Sequence, residues 1–186
     1  PLAKPFRISG HVFTDSPLVV VTISDGEHSG RGEAAGVYYL GDDVAAMTAA
    51  IDSVRDAVMA GVTRGELQRL LPAGGARNAI DCALWELDAR QSGVPVHEIA
   101  GLPEPRSLRT TFTLGADDPD VMAAGTRAFG QARALKLKLT GDLALDIARV
   151  DAVRAARPDC WIGVDANQGF AIGELDALIA ALVAAD

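Results

Sequence analysis

The sequence predicts an α+β unit over residues 1–106 followed by an α/β unit with a parallel sheet over residues 107–186. Two observations predict this fold class. The first unit changes from β-branched runs to apolar residues at three- and four-residue steps, which is typical of strands followed by helices. The second unit alternates strand and helix patterns, which indicates parallel strands joined by helices. The Pro-rich segment 102–105 between them is a predicted linker.

In the first unit, the elements are predicted from residue spacing. A β-branched strand over 18–23 and a second strand over 30–34 form an antiparallel hairpin, with turn residues between them. Apolar residues at helical spacing predict a helix over 42–58. A further helix over 76–92 ends at the Gly-Val-Pro segment 93–95.

In the second unit, three strands alternate with three helices. The strands are predicted over 108–114, 134–139 and 161–165, and the helices over 117–130, 143–156 and 172–186. A parallel sheet of three strands has an open edge and a half-covered core. We therefore expect the sequence to be part of a longer protein.

Composition and charge argue against several functional classes. The net charge of −8 argues against nucleic-acid binding, because a protein that follows phosphates needs a basic face. The sequence has no apolar run near the roughly 20 residues that span a membrane and no signal-peptide pattern. Cys82 and Cys160 are far apart and lack metal-binding spacing, which predicts two buried thiols in a cytoplasmic protein.

The strand over 134–139 carries two lysines that we interpret as catalytic. Residues two apart in a strand point to the same side, so Lys136 and Lys138 share one face and three leucines share the other. Two ammonium groups held close disfavour each other's charge, which favours the neutral amine of a general base. The alternative is a pair of solvated lysines. Because helices should cover the leucine face, the lysines point inward, which is costly without a function.

Asp165 ends an apolar strand, where catalytic groups lie in β/α barrels. Its carboxylate suits Mg²⁺, a hard cation that prefers oxygen ligands. The alternative is an Asp that starts a turn or caps the next helix. Together the lysines and Asp165 predict abstraction of a proton next to a carboxylate, with Mg²⁺ stabilising the enediolate and a lysine taking the proton.

The motifs resemble a known family. Ala134-Leu-Lys-Leu-Lys-Leu139 and Val164-Asp-Ala-Asn-Gln-Gly169 are similar to the muconate-lactonizing-enzyme subgroup of the enolase superfamily, and most of all to its dipeptide epimerases. Segments 1–6, 31–34 and 79–95 fit the same family, so the resemblance covers nearly the whole chain. It implies an N-terminal α+β capping domain followed by a modified TIM barrel, of which the first three βα units are present.

The resemblance also implies roles for individual residues. Lys138 would be the acid/base on one face of the substrate, and Lys136 would tune it and contact the substrate carboxylate. Asp165 would be the first of three carboxylate ligands of Mg²⁺, with Asn167 as a supporting group near the metal. The remaining ligands, the lysine on the opposite face and the acidic pair that grips the substrate ammonium belong to later barrel strands, which lie outside this sequence.

Substrate specificity is expected in two early loops. The resemblance implies that residues 11–15 and 36–40 close over the substrate, with His11, Phe13 and Tyr39 as binding residues. His11 occupies the place where glutamate-specific epimerases can carry an Arg. The resemblance therefore implies a hydrophobic or other dipeptide as readily as alanyl-glutamate.

Other functions are compatible with the same residues. Within the subgroup they are N-acylamino-acid racemisation, o-succinylbenzoate synthesis and muconate cycloisomerisation. A non-catalytic α/β module that holds an anion with the two lysines is an alternative from another class. Family members commonly assemble, which implies a homo-oligomer without naming an interface.

Overall fold

A computed structural model describes residues 1–185 of the chain, which forms two compact units. One unit is Ser16–Arg106, and the other combines Pro1–Asp15 with the chain from Ser107 onward. The sequence predicts units over 1–106 and 107–186, and the compact unit of the structure also ends at Arg106. Residues 1–15 differ, since they group with the second unit and not with 16–106. The contacts that join them to it include a backbone hydrogen bond of 2.9 Å from the Ala116 N–H to the Arg7 carbonyl and the ion pair of Arg7 with Asp117.

The described residues form short strands and mostly short helices. The strands are β1 (Phe6–Ile8), β2 (His11–Phe13), β3 (Val19–Ser24), β4 (Ser29–Ala34), β5 (Phe112–Leu114), β6 (Ala134–Lys138) and β7 (Trp161–Asp165). The helices are α1 (Val44–Ser53), α2 (Arg55–Met59), α3 (Arg64–Leu70), α4 (Gly75–Ser92), α5 (Val96–Ile99), α6 (Pro119–Ala128), α7 (Leu143–Ala156) and α8 (Leu175–Ala184). Two 3-10 turns lie at Tyr38–Leu40 and Ile172–Glu174. None of the described helices combines the length and the apolar character that crossing a membrane requires.

The unit Ser16–Arg106 is built on the β3–β4 hairpin and helix α4. Gly30 and Gly32 allow the α4 backbone to approach β4 closely, because a Cβ at either position would lie 2.1 Å from an α4 carbonyl oxygen. One apolar cluster forms the core: Ala34, Met47, Val54, Leu67, Leu71, Ala76, Ala79, Ile80 and Leu84. Every member lies inside the unit, so this core is independent of the parallel sheet.

The predicted helix over 42–58 is two helices. Helix α1 ends at Ser53, and the Val54 N–H bonds to the Ile51 carbonyl in a tighter turn before α2 begins. Helix α3 was not predicted, although Thr63 and Glu66 form a capping box at its start. Cys82 is exposed, contrary to the prediction, because it lies off the buried face of α4.

The second unit contains a parallel sheet in the order β5-β6-β7. Helices α6, α7 and α8 cover the leucine face of β6, and one apolar cluster fills the space between them: Leu114, Met122, Ala132, Leu135, Leu137, Leu139, Val150, Val153, Cys160 and Leu178. The short antiparallel hairpin β1–β2 belongs to the same unit. This arrangement leaves the lysine face of β6 for the candidate site.

Two predicted boundaries in this unit differ from the structure. Strand β5 begins at Phe112 and not at 108, because residues 108–111 are exposed and Phe112 is the first residue to pair with β6. The last helix begins at Leu175 after a 3-10 turn at Ile172–Glu174, which agrees with the predicted start near 172 only in part. Asp186, the predicted end of that helix, lies outside the described residues.

Candidate active site

Strand β6 separates its side chains onto two faces, as the alternation rule predicted. Leu135, Leu137 and Leu139 are fully buried in the core under the helices. Lys136 and Lys138 therefore lie on the opposite face of the sheet. The parallel register places Lys138 beside Asp165 at the carboxyl ends of β6 and β7. The fold thus brings two cations and one anion to the same edge.

The two lysines have different environments. The Lys138 Nζ donates a hydrogen bond of 2.7 Å to Asp165 Oδ2 and one of 2.8 Å to Asn167 Oδ1. Its side chain is 10% exposed, whereas that of Lys136 is 39% exposed. The Lys136 Nζ lies 3.8 Å from the same Asp165 oxygen. Lys138 is therefore the fixed amine at the centre of the cluster, and Lys136 lies at its exposed side.

Asp165 is held as an anion by its neighbours. The hydrogen bond from Lys138 is the largest cause that lowers the pKa of Asp165, and the backbone N–H of Asn167 and the charge of Lys136 lower it further. Burial opposes these effects, but the pKa lies below its usual value. The carboxylate is therefore charged at neutral pH and can act as a ligand for a cation.

The turn after β7 completes the cluster. Asn167 and Gln168 have positive φ angles of 44° and 65°, in the left-handed region that Asn tolerates better than most residues. This conformation lets the Asn167 N–H donate to Asp165 Oδ1 at 3.1 Å while its side-chain oxygen accepts from Lys138. The predicted residues Lys136, Lys138, Asp165 and Asn167 are thus in one hydrogen-bonded and ionic group.

The donor chemistry of this group fits Mg²⁺, which prefers oxygen ligands. Asp165 offers a half-exposed anionic carboxylate, and Asn167 offers a carboxamide oxygen close to it. Within residues 1–185, however, no three His, Cys, Asp or Glu side chains come together as a metal site. The described residues therefore fit one part of a magnesium site and do not complete it.

His11 and Phe13, two of the predicted substrate-binding residues, lie on β2 and not in a loop. Their rings are in edge contact with centroids 4.3 Å apart. The Nε of Arg7 on β1 lies 3.2 Å from Asp117 Oδ1 in the loop after β5, and both side chains are partly exposed. The β1–β2 hairpin is thus attached to the carboxyl-end loops of the sheet that carries Lys138.

Tyr39, the third predicted substrate-binding residue, belongs to the unit Ser16–Arg106. It lies in the 3-10 turn Tyr38–Leu40 and is 65% exposed. Its ring meets that of Tyr38 edge to face, with centroids 5.2 Å apart. Its role as a binding residue stays a prediction.

Two charged residues near the site were missed in the sequence. Asp146 and Arg149 on α7 are almost completely buried and form an ion pair of 2.6 Å. They bond to the loops that follow β5 and β6. Their spacing carried the signal, because positions 146, 149, 150 and 153 form the buried stripe of α7.

Comparison with known proteins identifies relatives of the chain. The model of the mandelate racemase/muconate lactonizing enzyme N-terminal domain matches residues 1–101. The L-Ala-D/L-Glu epimerase of Escherichia coli K12 is 38% identical over 170 residues, which cover 91% of this chain and 53% of that protein. The chain therefore spans about half the length of this relative.

Solved structures share the fold. An enolase family member from Agrobacterium tumefaciens with homology to dipeptide epimerases, with bound sodium and L-Ala-L-Glu, has a TM-score of 0.90 and 38% identity. The match covers 98% of this chain and 56% of that protein. A dipeptide epimerase from Enterococcus faecalis, complexed with Mg and L-Leu-L-Tyr, has a TM-score of 0.88 and 26% identity, with 98% and 55% covered.

Proposed function

The chain belongs to the mandelate racemase/muconate lactonizing enzyme family of the enolase superfamily, and on that premise we propose that its protein is a Mg²⁺-dependent dipeptide epimerase. The reaction removes the proton α to the substrate carboxylate and returns a proton to the opposite face. Relatives that are named as dipeptide epimerases support the substrate class. We also propose a cytoplasmic location, which is consistent with the two free cysteines. Homo-oligomer assembly remains a prediction.

The observation that carries the proposal is the position of Lys138. Its Nζ is fixed by Asp165 and Asn167 at the carboxyl end of β6, where catalytic groups lie in β/α barrels. Its burial limits the access of bulk water to the amine. In its neutral form this amine can take the proton from one face of the α-carbon and return it.

The other polar residues have separate roles in the proposal. Lys136 is more exposed and therefore accessible to the carboxylate of a substrate. Asp165, supported by Asn167, would provide one oxygen ligand for Mg²⁺. When bound, the ion supplies positive charge that stabilises the negative charge on the substrate carboxylate.

In this proposal, residues of the β1–β2 hairpin and of the 3-10 turn Tyr38–Leu40 contact the side chains of the substrate. His11 and Phe13 present one imidazole and one phenyl ring, and Tyr39 presents an exposed phenol. Rings of this kind form apolar contacts with a peptide side chain, and none of the three carries the permanent positive charge of an Arg. We therefore include hydrophobic dipeptides beside alanyl-glutamate in the substrate class.

The test is deuterium uptake from D₂O at the α-carbon of dipeptides, measured by NMR with the complete protein and Mg²⁺. We expect Lys138→Ala to slow the exchange roughly 100-fold or more, because the proton acceptor is lost. EDTA should abolish it. Lys4→Ala is the matched control, since Lys4 is the only lysine in the sequence outside the pair on β6 and is exposed. Its exchange rate should equal that of the wild type.

Several results would contradict this proposal. Exchange that survives Lys138→Ala would remove the lysine from the mechanism, and exchange that survives EDTA would remove the metal. Exchange of N-acylamino acids without exchange of any dipeptide would reassign the protein as a racemase of acylated amino acids. No exchange with either group would leave a lyase, a cycloisomerase or an anion-binding module.

A further inference from the structure

The buried pair Asp146–Arg149 lies behind the carboxyl ends of the parallel strands. Asp146 is fully buried and Arg149 is 5% exposed, and the distance from Arg149 Nη1 to Asp146 Oδ1 is 2.6 Å. Desolvation offsets much of the attraction in such a pair, so apolar residues of the same volume often give equal stability. A gain in folding stability is therefore a weak explanation for the pair. Its hydrogen bonds indicate a different role, which is to hold the loops around it.

Asp146 fixes the loop that follows the lysine strand. Its carboxylate accepts hydrogen bonds from the backbone N–H of Thr140 at 3.0 Å and that of Gly141 at 2.9 Å. The hydroxyl of Thr140 also donates to it at 3.3 Å. Lys138 lies two residues before this loop. The position of the amine along β6 therefore depends on where Asp146 holds the end of the strand.

Arg149 joins the same loop to the one after β5. Its Nε donates to the Asp117 carbonyl at 2.7 Å, and its Nη2 donates to the Ala116 carbonyl at 3.4 Å. Its Nη1 donates to the Thr140 hydroxyl at 2.8 Å. The guanidinium is a rigid fork, so these bonds set the distance between the two loops.

The β1–β2 hairpin is attached to this assembly through the loop after β5. The Arg7 carbonyl accepts from the Ala116 N–H at 2.9 Å, and the Arg7 guanidinium forms the ion pair with Asp117. Ala116 and Asp117 are the same two residues whose carbonyls Arg149 holds. The hairpin that carries His11 and Phe13 is therefore linked to Arg149.

The loop after β7 is in contact with the held loop. Gly141 has a φ of 99°, and a Cβ there would lie 2.0 Å from the Gly169 carbonyl oxygen. The Leu139 N–H donates to the Asp165 carbonyl at 3.0 Å. A shift of the loop after β6 would therefore be transmitted to the turn that contains Asn167.

From these contacts we propose that Asp146 and Arg149, together with the Thr140 hydroxyl, are positioning residues for the reaction. They hold Lys138, Asp165 and the β1–β2 hairpin in one geometry without touching the substrate. This inference rests on the proposed function. A misplacement of about 1 Å can lower a rate by roughly 100-fold, so the effect of losing such contacts is measurable.

The first test compares Thr140→Val with Thr140→Ser in the complete protein. Valine keeps the shape of Thr140 and loses both hydroxyl hydrogen bonds, whereas serine keeps the hydroxyl and loses a methyl group. We expect valine to lower kcat for α-proton exchange roughly 10- to 100-fold with KM changed less than about threefold, and serine to restore kcat. Equal kcat values for the two variants, or a wild-type kcat in valine, would overturn the proposal.

The second test compares Arg149→Lys with Arg157→Lys. Arg157 follows α7 and is a matched control, because it donates to the Phe129 and Ala132 carbonyls at 2.9 and 2.7 Å, at the amino end of β6. Both substitutions remove a guanidinium that joins loops, so both should lower Tm. Only Arg149→Lys should lower kcat by tenfold or more. An equal loss of kcat in both variants would mean that the role of Arg149 is structural.

A crystal structure of Thr140→Val separates this inference from the proposed function. If the wild-type protein exchanges no substrate proton, the proposed function fails and the geometry still decides the positioning role. We expect the distance from Lys138 Nζ to Asp165 Oδ2, which is 2.7 Å in the wild type, to exceed hydrogen-bond length in the variant. An unchanged distance, with an unchanged Gly141–Gly169 contact, would overturn the inference.

Discussion

At the scale of single residues, Asn167 combines two requirements that few side chains meet. Its backbone occupies the left-handed region at a φ of 44°, where most residues with a Cβ are strained. Its side-chain oxygen must also accept from the Lys138 ammonium. Glycine meets the first requirement alone, and alanine meets neither. Asparagine tolerates the conformation and carries the acceptor.

This combination predicts different effects for two substitutions at position 167. Asn167→Ala and Asn167→Gly should lower proton exchange to the same extent, because both remove the acceptor of the Lys138 hydrogen bond. Alanine should lower the free energy of unfolding by about 1 kcal/mol more than glycine, because it is strained at positive φ. Urea denaturation measures the stability and NMR the exchange. Equal stability of the two variants would refute the role of backbone strain.

The sequence predicted the position of a site residue where the local geometry of its strand determines where the side chain lies. Alternation along β6 placed Lys136 and Lys138 on one face, and the end of β7 placed Asp165 beside them. Asp146 and Arg149 were not predicted, because helix patterns are interpreted by apolar residues and charges are assigned to the surface. Their spacing matches the buried stripe of α7, but the hydrogen bonds that satisfy their charges go to two distant loops, which the helix pattern alone does not indicate.

At the scale of elements, the contact between β4 and α4 is closer than ordinary packing. The two glycines of β4 remove the side chains that would separate the strand from the helix backbone. The face of α4 that contacts these glycines carries small residues, including Ala79 and Ala83, which are fully buried. Small residues on both elements therefore determine how close the helix lies to its hairpin.

Gly32→Ala should therefore destabilise the unit Ser16–Arg106 by about 3 kcal/mol, the upper end of the cost of overpacking. The added methyl group would meet the Ala79 carbonyl oxygen, which is backbone and cannot rotate away. Gly65→Ala in α3 is the control, because a Cβ there meets no atom within 4 Å, and it should leave stability unchanged or raise it by up to about 1 kcal/mol. Urea denaturation gives both values. Similar stability in the two variants would show that α4 can move away from β4.

Prediction of elements succeeded where an apolar pattern was bounded by clear turn or cap residues, and it failed to divide the helical pattern over 42–58 into α1 and α2. The β3–β4 hairpin, α4, α7, β6 and β7 were predicted within one or two residues. The strands β1 and β2 were missed because each has three residues, too few for an alternation to be recognised. Helix α3 was missed because its signal is the capping box of Thr63 and Glu66 and not an apolar stripe.

At the scale of the whole chain, sequence order and spatial grouping disagree at the start. Residues 1–15 precede the unit Ser16–Arg106 in sequence but group with the parallel sheet. The sequence could not indicate this, because the contacts of Arg7 with Ala116 and Asp117 join residues more than 100 positions apart. Composition and element order identified two units, and long-range hydrogen bonds decided which residues belong to each.

The grouping predicts how excised parts of the chain behave. A polypeptide of residues 16–106 should unfold cooperatively, because it contains a complete apolar core. Addition of residues 1–15 should leave the urea midpoint unchanged, since their described hydrogen bonds lie in the other unit. Circular dichroism during urea denaturation of 16–106 and 1–106 gives both midpoints. A higher midpoint for 1–106 would place the first 15 residues with the first unit.

The way in which the β1–β2 hairpin is attached has a consequence for evolvability. Its link to Ala116 is a bond between backbone atoms, which side-chain replacement leaves intact. The residues at positions 11 and 13 can therefore be substituted while this backbone contact of the hairpin is retained. Laboratory evolution of substrate range should accept diverse residues at these two positions. Under the proposed function, proteins that share the lysine strand can therefore change substrate range by substitutions in the hairpin while the rest of the unit is kept.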